Sequence, residues 1–337
     1  MKPVGKLHSV HEIEEQARQL SPRQRAWLIQ RLQEAGQQAD ELLQSRFDDA
    51  PCCPHCGEER PQRYGRANGL QRYRCRACRS TFNALTGTPL ARLRLKGKWL
   101  GFLQSMMLGG RSVREAAADM DINKSTSFRW RHRFLSRAGE DQPEALHGIT
   151  EADEMFFRYS NKGQRGLERP ARKRGGGKAE QVCVLVARDR SCQTLDAITG
   201  IGNVSRVLLH EHLRPHLDTD CLLVSDGNPS YHVFAREAGI SHKAINVSIG
   251  RRVKREGDAA YHVQHVNAYH GRLRQWMVRF HGVATKYLAN YLAWFRGLDT
   301  HRRDSPQTIL FTAVGAFPYL TRTAPSFLCA RCAWLPA

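Results

Sequence analysis

The sequence predicts a multidomain α+β protein. Two cysteine pairs near the N-terminus, a basic helical segment after them, and a change to short apolar strands near residue 148 indicate differently built regions. With 337 residues, the chain is long enough for two or three domains and a sizeable core. We divide it into a helical region 1–50, a four-cysteine segment 51–90, a basic helical region 91–147, a strand-rich core 148–300 and a tail 301–337.

The first region is polar and has a helical pattern. Ser21 is followed by Pro22 and Gln24, which predicts a helix with a serine cap, a proline at its first position and a capping box. Ala26, Leu28, Ile29 and Leu32 then form an apolar side. We expect no chemistry here, only packing, including packing against a second subunit.

The cysteine pairs predict a metal site. Cys53 and Cys56 form one Cys-x-x-Cys knuckle, and Cys75 and Cys78 form another after 18 intervening residues. Each knuckle aims two sulfurs at one point, and four thiolates complete the tetrahedral shell of one structural Zn²⁺. The residues between are mostly polar and basic, so we expect the metal, rather than an apolar core, to hold this zinc ribbon together. A disulfide pairing is the alternative and needs an oxidising compartment.

The net charge of the chain indicates the class of molecule that it binds. The sequence has 52 Lys and Arg against 32 Asp and Glu, a formal net charge of +20. This excess favours a polyanion such as double-stranded DNA. No apolar run reaches about 18 residues and no apolar signal segment follows Met1, so we expect no membrane contact and a cytoplasmic, nucleoid-associated protein. A basic surface kept for solubility is the alternative, although solubility needs much less charge.

The basic helical region has helix-turn-helix order. A short capped helix is predicted at 112–117, a turn at 121–123 and a basic helix at 125–135. An ordinary helical hairpin with a solvated basic face is the alternative. We expect Phe128 and Phe134 to pack inward. The residues expected to remain exposed and bind DNA are Lys124, Arg129, Arg131 and Arg133, together with Arg172, Lys173 and Arg174 in a basic, glycine-rich loop at 161–178.

The region from 148 onward alternates short strands with helices. Its pattern predicts a hairpin of strands 181–187 and 194–198, a helix at 204–213, a buried strand at 221–224, and a long helical stretch at 259–296 interrupted near Gly282.

Two aspartates lie on the predicted strands. Asp153 falls at the start of the first strand, and Asp226 falls where a buried strand ends. A strand is a rigid mount for a metal-binding carboxylate. Strand alternation places Glu151 on the face of Asp153 and turns Glu154 away. The alternative for Asp226 is an ordinary Asp-Gly turn.

The helix after these strands carries a second polar group. Asn267 and Arg274 lie on the same side two turns apart, with Gly271 between them. A carbonyl oxygen with a cation above it is a suitable companion for a phosphate and its metal. Glu256 or Asp258 is the alternative source of a third carboxylate, although a loop is a less precise mount than a helix.

These motifs together resemble a known family. Their order is the four-cysteine ribbon ending in Thr-Gly-Thr-Pro at 86–89, Ala-Asp-Glu at 152–154, Ser-Asp-Gly at 225–227, the helix at 264–276, and the segments 282–288 and 291–296. The chain resembles bacterial insertion-sequence transposases of the zinc-ribbon, ISXO-two-like group from about 50 to 300. The resemblance implies a ribonuclease-H-like α/β core with a mixed sheet and a DDE site.

In that group, two acidic residues and a third Glu or Asn bind two divalent ions, Mg²⁺ or Mn²⁺. The resemblance assigns these roles to Asp153, Asp226 and Asn267, and Arg274 matches the basic residue seven places further on. Asn267 departs from a plain DDE set and leaves the site one negative charge short.

The resemblance also implies a reaction and its partners. Hydrolysis at the ends of the element frees a 3′-hydroxyl, which then attacks target DNA, so no small-molecule substrate is expected. The protein is expected to bind terminal inverted repeats and to form a homo-oligomer in the synaptic complex. A catalytically inactive DNA-binding protein and a structure-specific nuclease are the alternatives.

Overall fold

The computed structural model describes residues 17–22, 24–25, 39–48, 51–107, 110–140, 142–164, 181–245, 253–257, 259–300 and 305–314. They belong to two compact units, one containing the four-cysteine segment and one containing the strand-rich core. None of the helices in these ranges has the length and apolar character that crossing a membrane requires. Several predicted features lie outside the described residues, namely the apolar side at 26–32, Asp258, and the DNA-binding candidates Arg172, Lys173 and Arg174.

The first unit begins with the predicted capping box. The Gln24 backbone donates to Ser21 Oγ at 3.3 Å, and the Ser21 backbone donates to Gln24 Oε1 at 2.9 Å. Helix α1 (Ala39–Asp48) follows, and strands β1 (Gln62–Ala67), β2 (Leu70–Arg74) and β3 (Thr81–Phe82) form an antiparallel sheet in that order.

Helix α1 gives the four-cysteine segment a small apolar core. The Phe47 ring lies 4.7 Å from Tyr73 and 6.0 Å from Phe82 between centroids, and all three residues are buried. Gln44 Nε2 donates to the Tyr73 hydroxyl at 2.9 Å. The expectation that metal rather than a core holds this segment was incomplete, because α1 adds Phe47 to Tyr73 and Phe82 of the segment and forms a small apolar core.

Three helices precede the core: α2 (Trp99–Met107), α3 (Val113–Asp119) and α4 (Lys124–Phe134). Ser112 and Glu115 form a capping box at the start of α3. Asn123 Oδ1 accepts from the Ser125 backbone at 2.8 Å and caps α4. The predicted pair of helices and the turn between them are therefore confirmed.

Two side chains of α4 have the opposite burial to the one predicted. Phe128 is 41% exposed, whereas Arg131 is fully buried. The Arg131 guanidinium lies 5.0 Å from the Trp294 ring centroid, and its Nη2 donates to the Arg111 carbonyl at 2.5 Å. The predicted exposure of Arg131 and the inward packing of Phe128 were wrong, because an aromatic surface of the core accommodates the guanidinium through cation–π contact.

The second unit is built on a mixed five-stranded sheet. Its strands are β4 (Ile149–Arg158), β5 (Gln181–Asp189), β6 (Thr194–Ile201), β7 (Leu222–Asp226) and β8 (Ser241–Ile245), in the order β6-β5-β4-β7-β8. Strand β5 is antiparallel to β4 and β6, while β7 is parallel to β4 and β8. This is the ribonuclease-H-like arrangement. Asp153 is the fifth residue of β4, so its predicted place at the strand start was wrong.

Helices cover both faces of this sheet. They are α5 (Arg206–His212), α6 (Pro229–Ala238), α7 (Gln264–Val278) and α8 (Leu288–Thr300), and a short hairpin of β9 (Lys254–Glu256) and β10 (Ala259–Tyr261) precedes α7. Helix α9 (Pro306–Val314) contacts α4. On one face, Ala152 shares an apolar cluster with Leu209 of α5 and Phe234 of α6. On the other, the Tyr269 hydroxyl of α7 donates to Asp196 at 3.1 Å.

The helical stretch predicted at 259–296 was only partly correct. Ala259–Tyr261 is a strand, and α7 begins at Gln264. The predicted interruption is present, because His281 and Gly282 have φ angles of +50° and +89° and end the helical path before α8.

Candidate active site and metal centre

The four cysteines converge in the first unit. Their sulfurs all lie within 4.8 Å of one another, with Cys53 and Cys78 Sγ 3.6 Å apart and Cys56 and Cys75 Sγ 3.5 Å apart. These distances far exceed the S–S bond of about 2 Å in a disulfide. They approach the roughly 3.8 Å edge of a tetrahedron whose Zn–S bonds are about 2.3 Å. The arrangement fits a tetrahedral thiolate site and disfavours the disulfide alternative.

The closeness of the four thiols also favours a bound cation, because their pKa values depend strongly on their surroundings. Burial raises the pKa of Cys53 and of Cys56. Burial also acts to raise the pKa of Cys78, but hydrogen bonds from Ser80 outweigh it and lower that pKa to about 6. Four sulfurs at this separation cannot all be ionised without a positive charge among them, and a divalent metal supplies it.

The two predicted aspartates lie on neighbouring parallel strands of the second unit. Ala152 of β4 pairs with Ser225 of β7, and Asp153 and Asp226 directly follow this pair. Adjacent strands are about 4.8 Å apart, and residues at equivalent register positions project from the same face. The sheet therefore presents the two carboxylates side by side on one face, at the end of β7.

The turn after β7 orients the second carboxylate. Asp226 Oδ1 accepts from the Asn228 backbone at 3.0 Å, and Asn228 caps helix α6. Burial, and then the charges of Glu154, Asp153 and Asp226, raise the pKa of Tyr231 well above its usual value. This buried phenol therefore stays protonated beside the three carboxyl groups.

Strand alternation around Asp153 is confirmed. Glu154 Oε1 accepts from Asn228 Nδ2 at 3.4 Å on one face. Glu151, on the face of Asp153, is fully buried, and its Oε2 accepts from the backbone of His265 at 2.7 Å and of Val266 at 3.2 Å. Val263 provides no side-chain cap for α7. A carboxylate from the sheet therefore caps this helix and fixes its position on β4.

A cluster of basic side chains surrounds the other oxygen of Glu151. Arg190 Nη2 lies 3.3 Å from Oε1, His262 Nδ1 3.2 Å and His265 Nδ1 3.4 Å. Among the described residues, Glu151, His262 and His265 form the one group besides the four cysteines whose ligand atoms lie within 4.8 Å of one another. The Arg190 guanidinium already supplies the positive charge, so we interpret this group as structural.

The predicted polar residues of α7 lie on its open side. Asn267 and Arg274 are both exposed, and a Cβ added at Gly271 between them would meet no atom within 4 Å. The alternative third carboxylate, Glu256, contacts Lys243 and Lys254 instead.

Sequence reasoning overlooked His270. It lies one turn after Asn267 and is buried, with its Nδ1 3.8 Å from Asp153 Oδ2. Burial, and then the charge of Arg274, lower the pKa of His270 to about 4, so this imidazole is neutral at physiological pH. The i+3 spacing from Asn267 is the one sequence signal that could have identified it.

Two family models match the chain. A model described as "ISXO2-like transposase domain" matches residues 145–296, and one described as "Transposase zinc-ribbon domain" matches residues 37–81, which includes α1. These two matches, together with the carboxylate-bearing sheet, support a transposase with a zinc-ribbon domain. In both domains the chain is similar to the ISXO2-like, zinc-ribbon group of insertion-sequence transposases.

A relative from a transposable element is similar to most of the chain. The chain is 28% identical over 291 residues to "Uncharacterized protein in transposable element ISH50" of Halobacterium salinarum, covering 82% of this chain and 96% of the relative. A chain of the simian T-cell lymphotropic virus intasome has 11% identity and a TM-score of 0.28, covering 67% of this chain and 79% of its own. A pre-cleavage Mos1 transpososome chain has 12% identity and a TM-score of 0.20, covering 64% and 78%. Structural likeness this low carries no weight here, and the fold assignment relies on strand order.

Proposed function

We propose that this transposase binds the terminal inverted repeats of its insertion sequence and catalyses metal-dependent cleavage and transfer of DNA strands into target DNA. The placement of Asp153 and Asp226 at adjacent positions of parallel strands carries this proposal. Two carboxylates on one face, beside a helix with an exposed amide and an exposed arginine, suit a phosphodiester and its metal ions.

The donor set is suited to hard divalent ions. Asp153 and Asp226 would hold them, and Asn267 would offer its side-chain oxygen as a neutral ligand. When bound, two Mg²⁺ or Mn²⁺ ions supply activation of the attacking hydroxyl and stabilisation of the leaving oxygen. Arg274, exposed two turns along α7 from Asn267, would neutralise a DNA phosphate.

Two further regions would contact DNA. Lys124, Arg129 and Arg133 are exposed on α4, as a helix that enters a major groove requires. Arg131 is excluded from this role by its burial. The zinc ribbon would hold one structural Zn²⁺ through its four cysteines, and pairing of two element ends would assemble a homo-oligomer.

The decisive experiment uses purified protein and duplexes that carry the terminal repeats of the element. Cleavage and strand transfer should require Mg²⁺ or Mn²⁺. Asp226→Asn should abolish both while leaving the gel shift on repeat DNA unchanged. Asp218→Asn, an exposed aspartate paired with His147, is the matched control and should cleave normally. Cleavage that survives in Asp226→Asn would show that the site is assigned wrongly.

A second candidate is a DNA-binding protein without catalysis. It is favoured by the side chains that α7 offers in place of a third carboxylate, an exposed Asn267 and a neutral His270. Normal repeat binding without strand transfer in either metal would support this candidate.

A further inference from the structure

One buried side chain of the active-site face has no satisfied nitrogen. His270 is only 4% exposed, and its Nδ1 lies 3.8 Å from Asp153 Oδ2, beyond hydrogen-bond distance. Its Nε2 has no hydrogen-bond partner among the residues that the structure describes. Buried polar groups are nearly always paired. Nδ1 is the ring nitrogen that lies nearest to Asp153, so Nδ1 is the atom that an ion shared with Asp153 would contact.

Two histidines that precede His270 in the chain have polar partners for their ring nitrogens. His262 Nδ1 and His265 Nδ1 both lie against Glu151, and Arg190 contacts both rings within 3.3 Å. Both rings are therefore paired with the charged groups of Glu151 and Arg190. His270 lies further along the chain, on α7, and faces the carboxylate of Asp153, while the charge of Arg274 also acts on its ring.

The gap between His270 and Asp153 is close to that of two ligands on one ion. Two adjacent ligand atoms on an octahedral ion with bonds of about 2.1 Å are about 3 Å apart. The observed 3.8 Å is longer by about 0.8 Å, which a small rotation of either side chain would remove. Asp226 lies at the equivalent register position of the adjacent strand, on the same face, and would supply further oxygen ligands.

We propose that His270 is a direct ligand of the divalent ion at Asp153, so that the site has one imidazole nitrogen among its carboxylate oxygens. This inference rests on the proposed function, because it takes a divalent-ion site at Asp153 and Asp226 as given. A nitrogen ligand disfavours Mg²⁺, which prefers oxygen, relative to Mn²⁺. We therefore expect the site to bind Mn²⁺ more tightly than Mg²⁺.

The test is pulsed electron paramagnetic resonance of Mn²⁺ added to the zinc-loaded full chain. A directly bound imidazole modulates the spin echo through its ¹⁴N nucleus, and this modulation does not depend on activity. The wild-type protein should show it. His270→Asn should lose the modulation and weaken Mn²⁺ binding by at least about tenfold, as loss of well-placed metal contacts typically does.

Two more variants separate a ligand from a core residue. His270→Glu restores an oxygen ligand, so it should bind Mn²⁺ without ¹⁴N modulation and should bind Mg²⁺ more tightly than the wild type. It also answers the objection that His270→Asn simply unfolds, because metal should raise its melting temperature. The matched control is His210→Gln on α5, across the sheet, where His210 pairs with Glu237. This control should retain full ¹⁴N modulation.

The outcomes distinguish the two proposals. If Mn²⁺ binds, is lost in Asp226→Asn, but shows no ¹⁴N modulation in the wild type, the role of His270 is refuted and the metal site stands. If Mn²⁺ does not bind, or binds equally in Asp226→Asn, the metal site itself is wrong and both proposals fail. Modulation that persists in His270→Asn would assign the nitrogen to another residue and overturn the inference.

Discussion

The zinc ribbon and the carboxylate face, by which we mean Asp153 and Asp226 on the sheet with helix α7 beside them, are both candidate metal sites. They are assembled differently. The ribbon takes its ligands from two short knuckles within a segment of 26 residues, from Cys53 to Cys78. The carboxylate face takes Asp153 and Asp226 from separate strands and its helix from still further along the chain. The first site is specified by local turns, and the second by the register of the sheet and the docking of α7.

This difference shows where each site is vulnerable. A local thiolate site depends on its metal for much of its stability, although Phe47, Tyr73 and Phe82 add a small apolar core. The carboxylate face is stabilised by the sheet and its covering helices, so its metal ions serve chemistry rather than folding. Loss of metal should therefore unfold one site and only inactivate the other.

The largest effect should follow removal of a ribbon ligand. Cys75→Ser should lose the Zn²⁺, which contributes about 10 kcal/mol or more to the folding of such sites. Zinc content by atomic absorption and the near-ultraviolet circular dichroism of the aromatic residues measure it. Cys52→Ser, a buried cysteine outside the four, is the control and should keep one zinc per chain. Retention of zinc by Cys75→Ser would contradict the four-cysteine assignment.

Removal of a ligand from the carboxylate face should instead leave the fold intact. Asp153→Asn should lower the cleavage rate by on the order of 10³-fold, because a metal ion stabilises the transition state by several kcal/mol. Zinc content and melting temperature should not change. Glu154→Gln, the neighbour whose side chain contacts Asn228 on the opposite face, should cleave within about threefold of the wild type, because alternate residues of a strand project from opposite faces. Equal losses in the two variants would show that strand alternation does not define the site.

A third substitution examines the docking of α7 on the sheet. Glu151→Gln keeps an oxygen for the backbone of His265 and Val266 but removes the charge that faces Arg190. Breaking a buried ion pair costs about 3 kcal/mol or more, so urea unfolding should show this loss. Glu237→Gln breaks an exposed pair with Arg206 and should cost no more than about 1 kcal/mol. A loss in Glu151→Gln as small as in this control would remove Glu151 as the anchor of α7.

The smallest expected effect concerns the charge at position 267, which holds the third predicted metal ligand. Asn267→Glu adds the carboxylate that a plain DDE set contains, on an exposed position of α7. Cleavage at limiting Mg²⁺ should be retained or rise by up to about tenfold, because ligand charge tunes the affinity of such sites. Titration of the cleavage rate with Mg²⁺ measures this, with Asn267→Gln as the uncharged control. Complete inactivity of Asn267→Glu alone would mean that position 267 serves geometry rather than charge.

Much of the fold was predictable from short patterns. The capping boxes at Ser21 and Ser112, the helix pair α3 and α4, and the hairpin of β5 and β6 all follow from spacing and turn residues. The errors occurred where distant packing overrides local pattern. Arg131 was predicted to be exposed because its helix is basic, but aromatic rings of the core contact its guanidinium.

The candidate metal sites also combine features that the sequence specifies with contacts that only the tertiary structure decides. The types and spacing of the four cysteines, the positions of Asp153 and Asp226, and the alternation around Asp153 are properties of the sequence by itself, because knuckles, strands and helices have fixed periods. The cap that Glu151 forms on a helix 114 residues away, and the approach of His270 to Asp153, were decided only by tertiary structure. No local period links segments so far apart. Their contact depends on how the faces of the sheet and helix bury each other.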